Sequence, residues 1–285
     1  MMKVKSKITL RDISELSSRL HPDRIYQMIN SLENATLVIH CGGESLSIDN
    51  FTRTMALTAG PVSYCQDGLA TVVDCSFMSD PRFIEAYNAG FEAGSWDKHI
   101  HWRQYNACWA ANRAKELEGD FVECGVNRGS SALTAMKYID FPSTGKTFWL
   151  MDTFDGIPME LLTEEERRMG IGTLYNDYGD CYEHVVELFK DYDCVKIIKG
   201  RIPETLPEMT AEKIAYLYID MNNATPEIAA AEYYWDRLVS GAIMILDDYA
   251  WKTHPVQKRE FDKFADRKDV QILSMPTGQG FIFKP

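Results

Sequence analysis

Beyond about residue 110, short apolar runs alternate along the chain with stretches of helical periodicity. Seven apolar runs predict β-strands at Phe121–Cys124, Thr147–Met151, Val195–Ile198, Ala215–Ile219, Ala242–Leu246, Val270–Ser274 and Gly280–Phe283. The amphipathic stretches between them predict helices at Ala132–Tyr138, Tyr182–Asp191, Pro226–Leu238 and Pro255–Ala265. Because strands that alternate with helices form parallel sheets, the pattern predicts an α/β fold with helices on both faces of the sheet.

The last two apolar runs are joined differently from the others. Their connection, Met275–Gly280, contains proline and glycine and has no room for a helix. Parallel neighbours need a crossover of a dozen residues or more, so these two strands should form a hairpin. We expect Val270–Ser274 to run parallel to the first five strands. Gly280–Phe283 should run antiparallel, between that strand and the fifth strand.

The first 95 residues lack a clear apolar core of their own. Ile13–Leu32 has helical periodicity, Thr36–His40 is a candidate strand, and Asp80–Ala93 and His101–Glu118 are candidate helices. We therefore expect residues 1–95 to be a mostly helical N-terminal extension that packs on the sheet or covers its site. Residues 96–285 would form the main domain.

Composition narrows the classes of function. A net charge of −12, from 30 Lys+Arg against 42 Asp+Glu, disfavours binding to nucleic acid phosphates. No apolar run approaches the ~20 residues needed to cross a bilayer, and none follows the basic N-terminus as a secretory signal would require. The seven cysteines are scattered without a C-x-x-C pair, which disfavours a zinc site and fits a reducing cytoplasm. We therefore expect a cytoplasmic protein without membrane contacts.

The most informative stretch is the turn after the first predicted strand. Residues 120–131 read Asp-Phe-Val-Glu-Cys-Gly-Val-Asn-Arg-Gly-Ser-Ser. A strand that turns through glycine into a helix brings backbone N–H groups close to a ligand. The acid at the strand end, Glu123, would repel a pyrophosphate but suits an ammonium group or ribose hydroxyls. The spacing also differs from G-x-G-x-x-G and from the phosphate-binding loop, because no lysine follows Gly129.

Acidic residues also end three other predicted strands. Asp152 ends the second, Asp220 ends the fourth, and Asp247 and Asp248 end the fifth. Ligands in open α/β sheets bind at the carboxyl ends of the strands, where these acids should converge. A ligand with ribose hydroxyls would explain Asp152. A divalent cation would explain the other three carboxylates, and oxygen-only ligation favours Mg²⁺, Mn²⁺ or Ca²⁺ over zinc.

Several segments resemble one family of class I S-adenosylmethionine-dependent methyltransferases, the macrocin O-methyltransferases. The similar segments are FVECGVNRGSSA (121–132), WLMDTFDGIP (149–158), KGRIPETLP (199–207), LYIDMNNATPE (217–227) and GAIMILDDYAW (241–251). Together they span about residues 120–285. The resemblance implies a Rossmann-like fold with a seven-stranded, mostly parallel sheet that ends in an antiparallel hairpin. It also implies methyl transfer to a hydroxyl of a sugar or a glycosylated natural product.

The resemblance assigns roles to particular residues. Glu123, Gly125 and Ser131 would hold the methionine moiety and adjoining ribose of S-adenosylmethionine. Asp152 would accept hydrogen bonds from the ribose hydroxyls. The remaining residues expected to bind the cofactor are Cys124, Asn127, Gly129, Ser130, Thr153 and Phe154.

The acceptor side is implied in the same way. Asp220, Asp247 and Asp248 would hold the Mg²⁺ that binds the acceptor oxygen. In the similar catechol O-methyltransferases, a lysine base lies three residues after the first metal-binding aspartate, and here that position is Asn223. Asp220 itself and His254 are the candidate catalytic bases.

Two alternatives to a sugar O-methyltransferase remain open at this point: a methyltransferase for a catechol-like phenol, and a non-catalytic subunit with the same fold. An NAD-dependent enzyme is disfavoured by the absent G-x-G-x-x-G turn. We expect a small-molecule sugar or glycosylated substrate as partner, and a homo-oligomer, either a dimer or a larger assembly.

Overall fold

The computed structural model describes residues 38–41, 44–47, 63–71, 73–94, 99–174 and 179–285. The chain divides into two compact units, residues 1–76 and 77–285. The predicted helix Ile13–Leu32 lies outside the described residues. The predicted domain boundary near residue 95 stays a prediction.

The described strands of the first unit form two antiparallel hairpins. One pairs β1 (Val38–Cys41) with β2 (Glu44–Ser47), and the other pairs β3 (Tyr64–Gln66) with β4 (Leu69–Thr71). The predicted strand Thr36–His40 overlaps β1.

A seven-stranded sheet forms the centre of the second unit, within the part of the chain that the structure describes. Its strands are β5 (Asp120–Cys124), β6 (Phe148–Asp152), β7 (Val195–Lys199), β8 (Ile214–Ile219), β9 (Leu238–Leu246), β10 (Leu273–Ser274) and β11 (Gly280–Phe283). Their spatial order is β10-β11-β9-β8-β5-β6-β7. Strands β5 to β9 pair in parallel, and β11 is antiparallel to both β9 and β10. The predicted α/β fold, the hairpin and the insertion of β11 are confirmed.

The predicted strand Val270–Ser274 is shortened to Leu273–Ser274. The backbone N–H of Val270 donates to the carbonyl of Ala265 at 3.0 Å, so it completes the end of the preceding helix rather than pairing with a strand.

The described residues of the second unit contain eight α-helices. They are α1 (Pro81–Gly94), α2 (His101–Ala114), α3 (Ser130–Ile139), α4 (Glu164–Met169), α5 (Ile171–Leu174), α6 (Tyr182–Phe189), α7 (Ala224–Tyr234) and α8 (Pro255–Lys268). Helix α1 packs closely on α3 at Gly90, where an added Cβ would lie 1.9 Å from Thr134 Oγ1 and 2.6 Å from the Ser130 carbonyl oxygen. None of the helices in the described ranges is long and apolar enough to cross a membrane.

The sheet is buried on both faces, as its apolar strands predict. Every residue of the central strand β8 is buried. Phe121 and Tyr216 pack on one face, whereas Val122 and Leu217 pack on the other. The chain runs outward from β5 through β6 and β7, then returns to place β8 on the other side of β5. In open α/β sheets, such a reversal of strand order marks the usual ligand position, a crevice at the carboxyl ends of the strands, here those of β5 and β8.

Candidate active site

The glycine turn after β5 lies at this crevice. Gly125 adopts a φ of 93°, and an added Cβ there would lie 1.9 Å from the carbonyl oxygen of Asp220. Only glycine therefore allows the end of β5 to approach the end of β8 so closely. Gly129, with a φ of 87°, is the N-cap of α3, so the turn leads directly to a helix N-terminus. The predicted strand, turn and helix are all present.

Asp152 binds the loop after β5 and the loop after β6. We call this part of the crevice, at the ends of β5 and β6 where the cofactor is predicted to bind, the cofactor side. Its Oδ2 accepts hydrogen bonds from the backbone N–H groups of Val126 at 2.6 Å and Asn127 at 2.7 Å. Its Oδ1 accepts from the backbone N–H of Phe154 at 2.7 Å and lies 3.2 Å from Thr153 Oγ1. A carboxylate offers about four lone-pair sites. A ribose at this position would therefore share oxygens that already hold the two loops together.

Phe154 and Asn127 are both placed in the left-handed region of the backbone, with φ values of 55° and 48°. Asp152 holds both residues through their N–H groups, which offsets the cost of these conformations. Phe154 is buried and packs against the ring of Tyr182 at 5.5 Å. Thr153 Oγ1 also donates to the carbonyl of Gly156 at 2.7 Å, so its hydroxyl is used in the turn.

Glu123 is buried at the end of β5, with 2% of its surface exposed. Burial raises the pKa of its carboxyl well above the ordinary value, and the nearby charges of Asp152 and Asp247 raise it further. A cationic ligand would reverse this shift by stabilising the carboxylate. Cys124, the next residue, is fully buried and lines the opposite face of the sheet.

The N-terminus of α3 is tied to α2. Gln104 Nε2 donates to Ser131 Oγ at 2.9 Å, and the Ser130 carbonyl accepts from Thr134 Oγ1 at 2.8 Å. The segment from Glu123 to Ser131, which contains most of the predicted cofactor residues, is thus held at its end by α2. Asp152 connects the same segment to Phe154 in the loop after β6.

We call the ends of β8 and β9, where the other predicted aspartates lie, the acid side of the crevice. Its most deeply buried aspartate is Asp247, of which 3% is exposed. Its Oδ1 accepts from Tyr218 Oη at 2.5 Å and from Gln279 Nε2 at 3.0 Å. Its Oδ2 accepts from Arg103 Nη1 at 2.5 Å. Arg103 Nη1 also lies 3.5 Å from Oδ1 of Asp248, so one guanidinium faces both carboxylates.

The other predicted acid-side residues surround this ion pair less tightly. His254 is buried, and its Nε2 lies 3.9 Å from Asp248 Oδ2, while its Nδ1 lies 3.0 Å from Thr253 Oγ1. Asp220 is half-buried, and its Oδ1 accepts from Asn222 Nδ2 at 3.3 Å. Asp220 and Asp247 end neighbouring parallel strands, as predicted.

This arrangement does not fit a divalent metal ion. The three aspartates have the donor chemistry of a Mg²⁺ site, but the Arg103 guanidinium lies on Oδ2 of Asp247, and Tyr218 and Gln279 both donate to Oδ1, so a metal ion would have to displace a cation of the protein. Among the described residues, no group of three or more His, Cys, Asp or Glu side chains is arranged to hold a metal ion.

Another buried acid, Glu227, lies near Asp248 on the acid side. Glu227, at the start of α7, accepts from the Met221 N–H at 3.0 Å and from Gln257 Nε2 at 2.9 Å. Burial raises the pKa of Glu227 to about 8, and the charge of Asp248 adds to the shift.

Helix α4 connects the two sides of the crevice through Glu166. Glu166 Oε2 accepts from the backbone N–H of Thr163 at 2.8 Å and completes a capping box at the start of α4. Its Oε1 accepts from the N–H of Ala224 at 2.7 Å, at the N-terminus of α7. The charge pattern of residues 164–166 is typical of a solvated helix face. Glu166 is nevertheless buried, and its carboxylate holds two helix N-termini.

Sequence reasoning did not assign roles to Arg103, Tyr218, Gln279, Glu227 or Glu166. Arg103 lies upstream of β5, and nothing in its local sequence indicates an acidic partner. Gln279 lies in the predicted hairpin connection, so its position opposite the fifth strand could have suggested proximity to Asp247. The other residues carry no local signal beyond their place in apolar or helical segments.

Comparisons with known proteins agree with this fold. A family model described as Macrocin-O-methyltransferase (TylF) matches residues 100–274. Mycinamicin III 3''-O-methyltransferase of Micromonospora griseorubida is 24% identical over 165 residues, which cover 54% of this chain and 63% of the relative. A tetracenomycin-related rhamnosyl 4'-O-methyltransferase of Streptomyces olivaceus is 28% identical over 145 residues, covering 48% of this chain and 55% of the relative. The matches thus span less than two thirds of either relative.

Solved structures show the same fold. The structure of the O-methyltransferase NovP has a TM-score of 0.56 and 22% sequence identity, with coverage of 64% of this chain and 79% of that one. The calicheamicin methyltransferase CalS11 has a TM-score of 0.52 and 18% identity, with coverage of 72% and 93%. Because the family model matches more than half of the chain and includes both sides of the crevice, the chain belongs to the macrocin O-methyltransferase family.

Proposed function

We propose that this chain is an S-adenosylmethionine-dependent O-methyltransferase that methylates a hydroxyl of a sugar or glycosylated small molecule. The observation that carries the proposal is the juxtaposition of the Asp152-bound glycine turn with the acid side at one crevice. The family match and two glycoside-methylating relatives support it. Glu123, Gly125 and Asp152 lie at β5 and β6, whereas Asp220 and Asp247 end β8 and β9.

The residues of the cofactor side fit S-adenosylmethionine. The buried Glu123 suits the cationic end of the ligand, and the glycine turn leaves room beside the backbone. Asp152 keeps Val126, Asn127 and Phe154 in place, so it would shape the pocket even where a ribose shares its oxygens. The predicted contacts of Ser130, Ser131 and Thr153 complete this part of the proposal.

When bound, the cofactor supplies a methyl group on a sulfonium sulfur. The acceptor oxygen would form the new O–C bond as the C–S bond breaks, and the hydroxyl proton would pass to a base of the protein. Correct alignment of the reacting atoms supplies much of the acceleration in such a displacement. The protein must therefore orient the acceptor hydroxyl and receive one proton.

We assign the proton-accepting role to Asp220, with His254 as the alternative base. Asp220 is half-buried at the end of β8, next to the close approach at Gly125. His254 is buried and faces Asp248. General-base catalysis typically contributes about 10²- to 10⁴-fold to a rate. Asp220→Asn should therefore lower kcat by about that factor, and His254→Gln should lower it less.

The predicted Mg²⁺ dependence takes no part in these steps, because the contacts of Asp247 do not support the ion. The carboxylate trio keeps the donor chemistry for it, and binding would require Arg103 to leave Asp247. An assay with and without EDTA decides this question.

The test is methyl transfer from radiolabelled S-adenosylmethionine to nucleotide-linked sugars, glycosylated macrolides and a catechol, with mass-spectrometric mapping of the product. The proposal expects label on a sugar hydroxyl and loss of transfer in Asp220→Asn. Label on the catechol alone would replace the sugar acceptor by a phenol. Wild-type protein that binds no S-adenosylmethionine would refute the proposed activity.

A further inference from the structure

Arg103 occupies an unusual place for a residue of the helix that precedes the sheet. It lies in the first turn of α2, yet its guanidinium reaches the carboxyl ends of β9, 2.5 Å from Asp247 and 3.5 Å from Asp248. The side chains of Arg103, Asp247 and Asp248 are exposed by only 13%, 4% and 10%. The ion pair is thus largely removed from water.

The surroundings hold the guanidinium in this position. Gln279 Nε2 donates both to Asp247 Oδ1 at 3.0 Å and to the backbone carbonyl of Arg103 at 3.4 Å, so the β10–β11 turn fixes both partners. The Arg103 guanidinium carbon lies 5.2 Å from the centre of the Trp251 ring, within cation–π range. Asn106, one turn along α2, donates to Gln279 Oε1 at 3.0 Å and orients that amide.

These contacts conflict with the requirements of a divalent ion at the acid pair. Mg²⁺ requires near-octahedral oxygen ligands at about 2.0–2.1 Å, and it retains several waters. Asp247 would have to release Arg103, and a guanidinium this close to Asp248 would repel the ion. Arg103 already supplies the positive charge that a bound metal ion would otherwise bring to these carboxylates.

We infer that Arg103 is the resident cation of the acid pair and that it keeps divalent metal away from Asp247 and Asp248. Its role is that of a positioning residue: it holds the two carboxylates together and offsets one of their two negative charges. This inference concerns metal affinity alone, and therefore goes beyond the proposed methyl transfer without depending on the acceptor.

The test is a titration of the full chain with Mn²⁺ in the absence of S-adenosylmethionine and acceptor. Electron paramagnetic resonance measures the free ion at each step. The variants are Arg103→Gln, Arg103→Lys and Arg103→Gln combined with Asp247→Asn. Arg267→Gln is the matched control, because Arg267 pairs with Glu232 at 2.6 Å but is 51% exposed and lies at the end of α8. It removes the same charge outside the crevice.

We expect wild type, Arg103→Lys and Arg267→Gln to bind Mn²⁺ weakly. Arg103→Gln should bind about tenfold tighter or more, and the added Asp247→Asn change should abolish the gain. A purely structural role for Arg103 would produce no gain in metal affinity. Equal affinity in wild type and Arg103→Gln would overturn the inference.

Wild type provides an independent arm should Arg103→Gln fail to fold. Saturable Mn²⁺ binding by wild type at micromolar concentration, lost in Asp247→Asn, would overturn the inference. Wild type without saturable binding up to millimolar Mn²⁺ would support it. Because neither arm contains cofactor, failure here is distinguishable from failure of the proposed methyl transfer.

Discussion

The two sides of the crevice satisfy their central carboxylates in different ways. On the cofactor side, Asp152 accepts from the backbone N–H groups of Val126, Asn127 and Phe154, all within 26 residues of it. On the acid side, Asp247 depends on side chains, above all on Arg103, which is 144 residues away in sequence. Backbone donors form a pocket for a ligand by fixing the loops around it. A buried cationic side chain instead neutralises the carboxylate itself.

This difference has consequences for stability and for chemistry. The ion pair of Asp247 and Arg103 is compatible with a stable fold only while both partners are present. Removing one partner leaves the other charge buried and destabilises the protein. Asp152, in contrast, is held by neutral backbone N–H groups, so its removal leaves no opposite charge buried. The acid side should therefore be the more sensitive of the two in unfolding experiments, and the cofactor side the more sensitive in binding experiments.

The largest expected effect is on folding stability at the acid side. Arg103→Gln leaves Asp247 without its cation, and breaking a buried ion pair costs roughly 3–5 kcal/mol. The control Arg267→Gln breaks an exposed pair and should cost less than about 1 kcal/mol. Urea unfolding followed by circular dichroism measures both. Similar small losses in the two variants would erase the contrast between a buried and an exposed pair.

The acid side also predicts a dependence of stability on pH. Glu227 has a folded pKa of about 8, raised above its ordinary value, so it stays protonated in the folded protein where the unfolded chain has ionised. Folded protein then binds more protons than unfolded protein between about pH 4.5 and 8, and stability falls as pH rises through this window. Glu227→Gln removes the effect and retains an acceptor for Met221 and Gln257.

The measurement compares wild type with Glu227→Gln by chemical denaturation at pH 5 and pH 7.5. Wild type should lose roughly 3 kcal/mol relative to the variant between these values, at about 1.4 kcal/mol for each pH unit. Parallel stability curves for the two proteins would mean that Glu227 is ionised in the folded state.

A smaller effect is expected where α4 joins the two sides. Glu166→Ala removes the capping box of α4 and the acceptor for Ala224, and should destabilise the protein by about 1–2 kcal/mol. Glu165→Ala, next to it, loses only the exposed pair with Arg259 and should cost less than about 1 kcal/mol. Thermal unfolding distinguishes the two, and an inverted order would show that Glu166 does not connect the sides.

The same difference explains what the sequence could predict. The strands β5 to β9, the hairpin and the glycine turn depend on local apolar runs, on a connection too short for a helix, and on residues adjacent to the turn. Asp152 could be placed at the site because it ends a strand, whereas its hydrogen bonds with the backbone of Val126, Asn127 and Phe154 were not predicted. Arg103 and Gln279 were not assigned, because their roles exist only once α2 and the β10–β11 turn reach β9. Val270 departs from the predicted strand for a local reason, because its N–H completes the end of α8 by donating to the carbonyl of Ala265.

The central claim, that the cofactor side and the acid side have separate tasks, is tested most directly by calorimetric titration with S-adenosylmethionine. The proteins are wild type, Asp152→Ala, Asp247→Asn and the control Asp155→Ala, whose exposed side chain lies in the same turn as Asp152. The account predicts that Asp152→Ala binds about tenfold weaker or more, since its loops lose their common acceptor. Asp247→Asn and Asp155→Ala should bind within about threefold of wild type. Unchanged affinity in Asp152→Ala, or a larger loss in folded Asp247→Asn, would contradict the account.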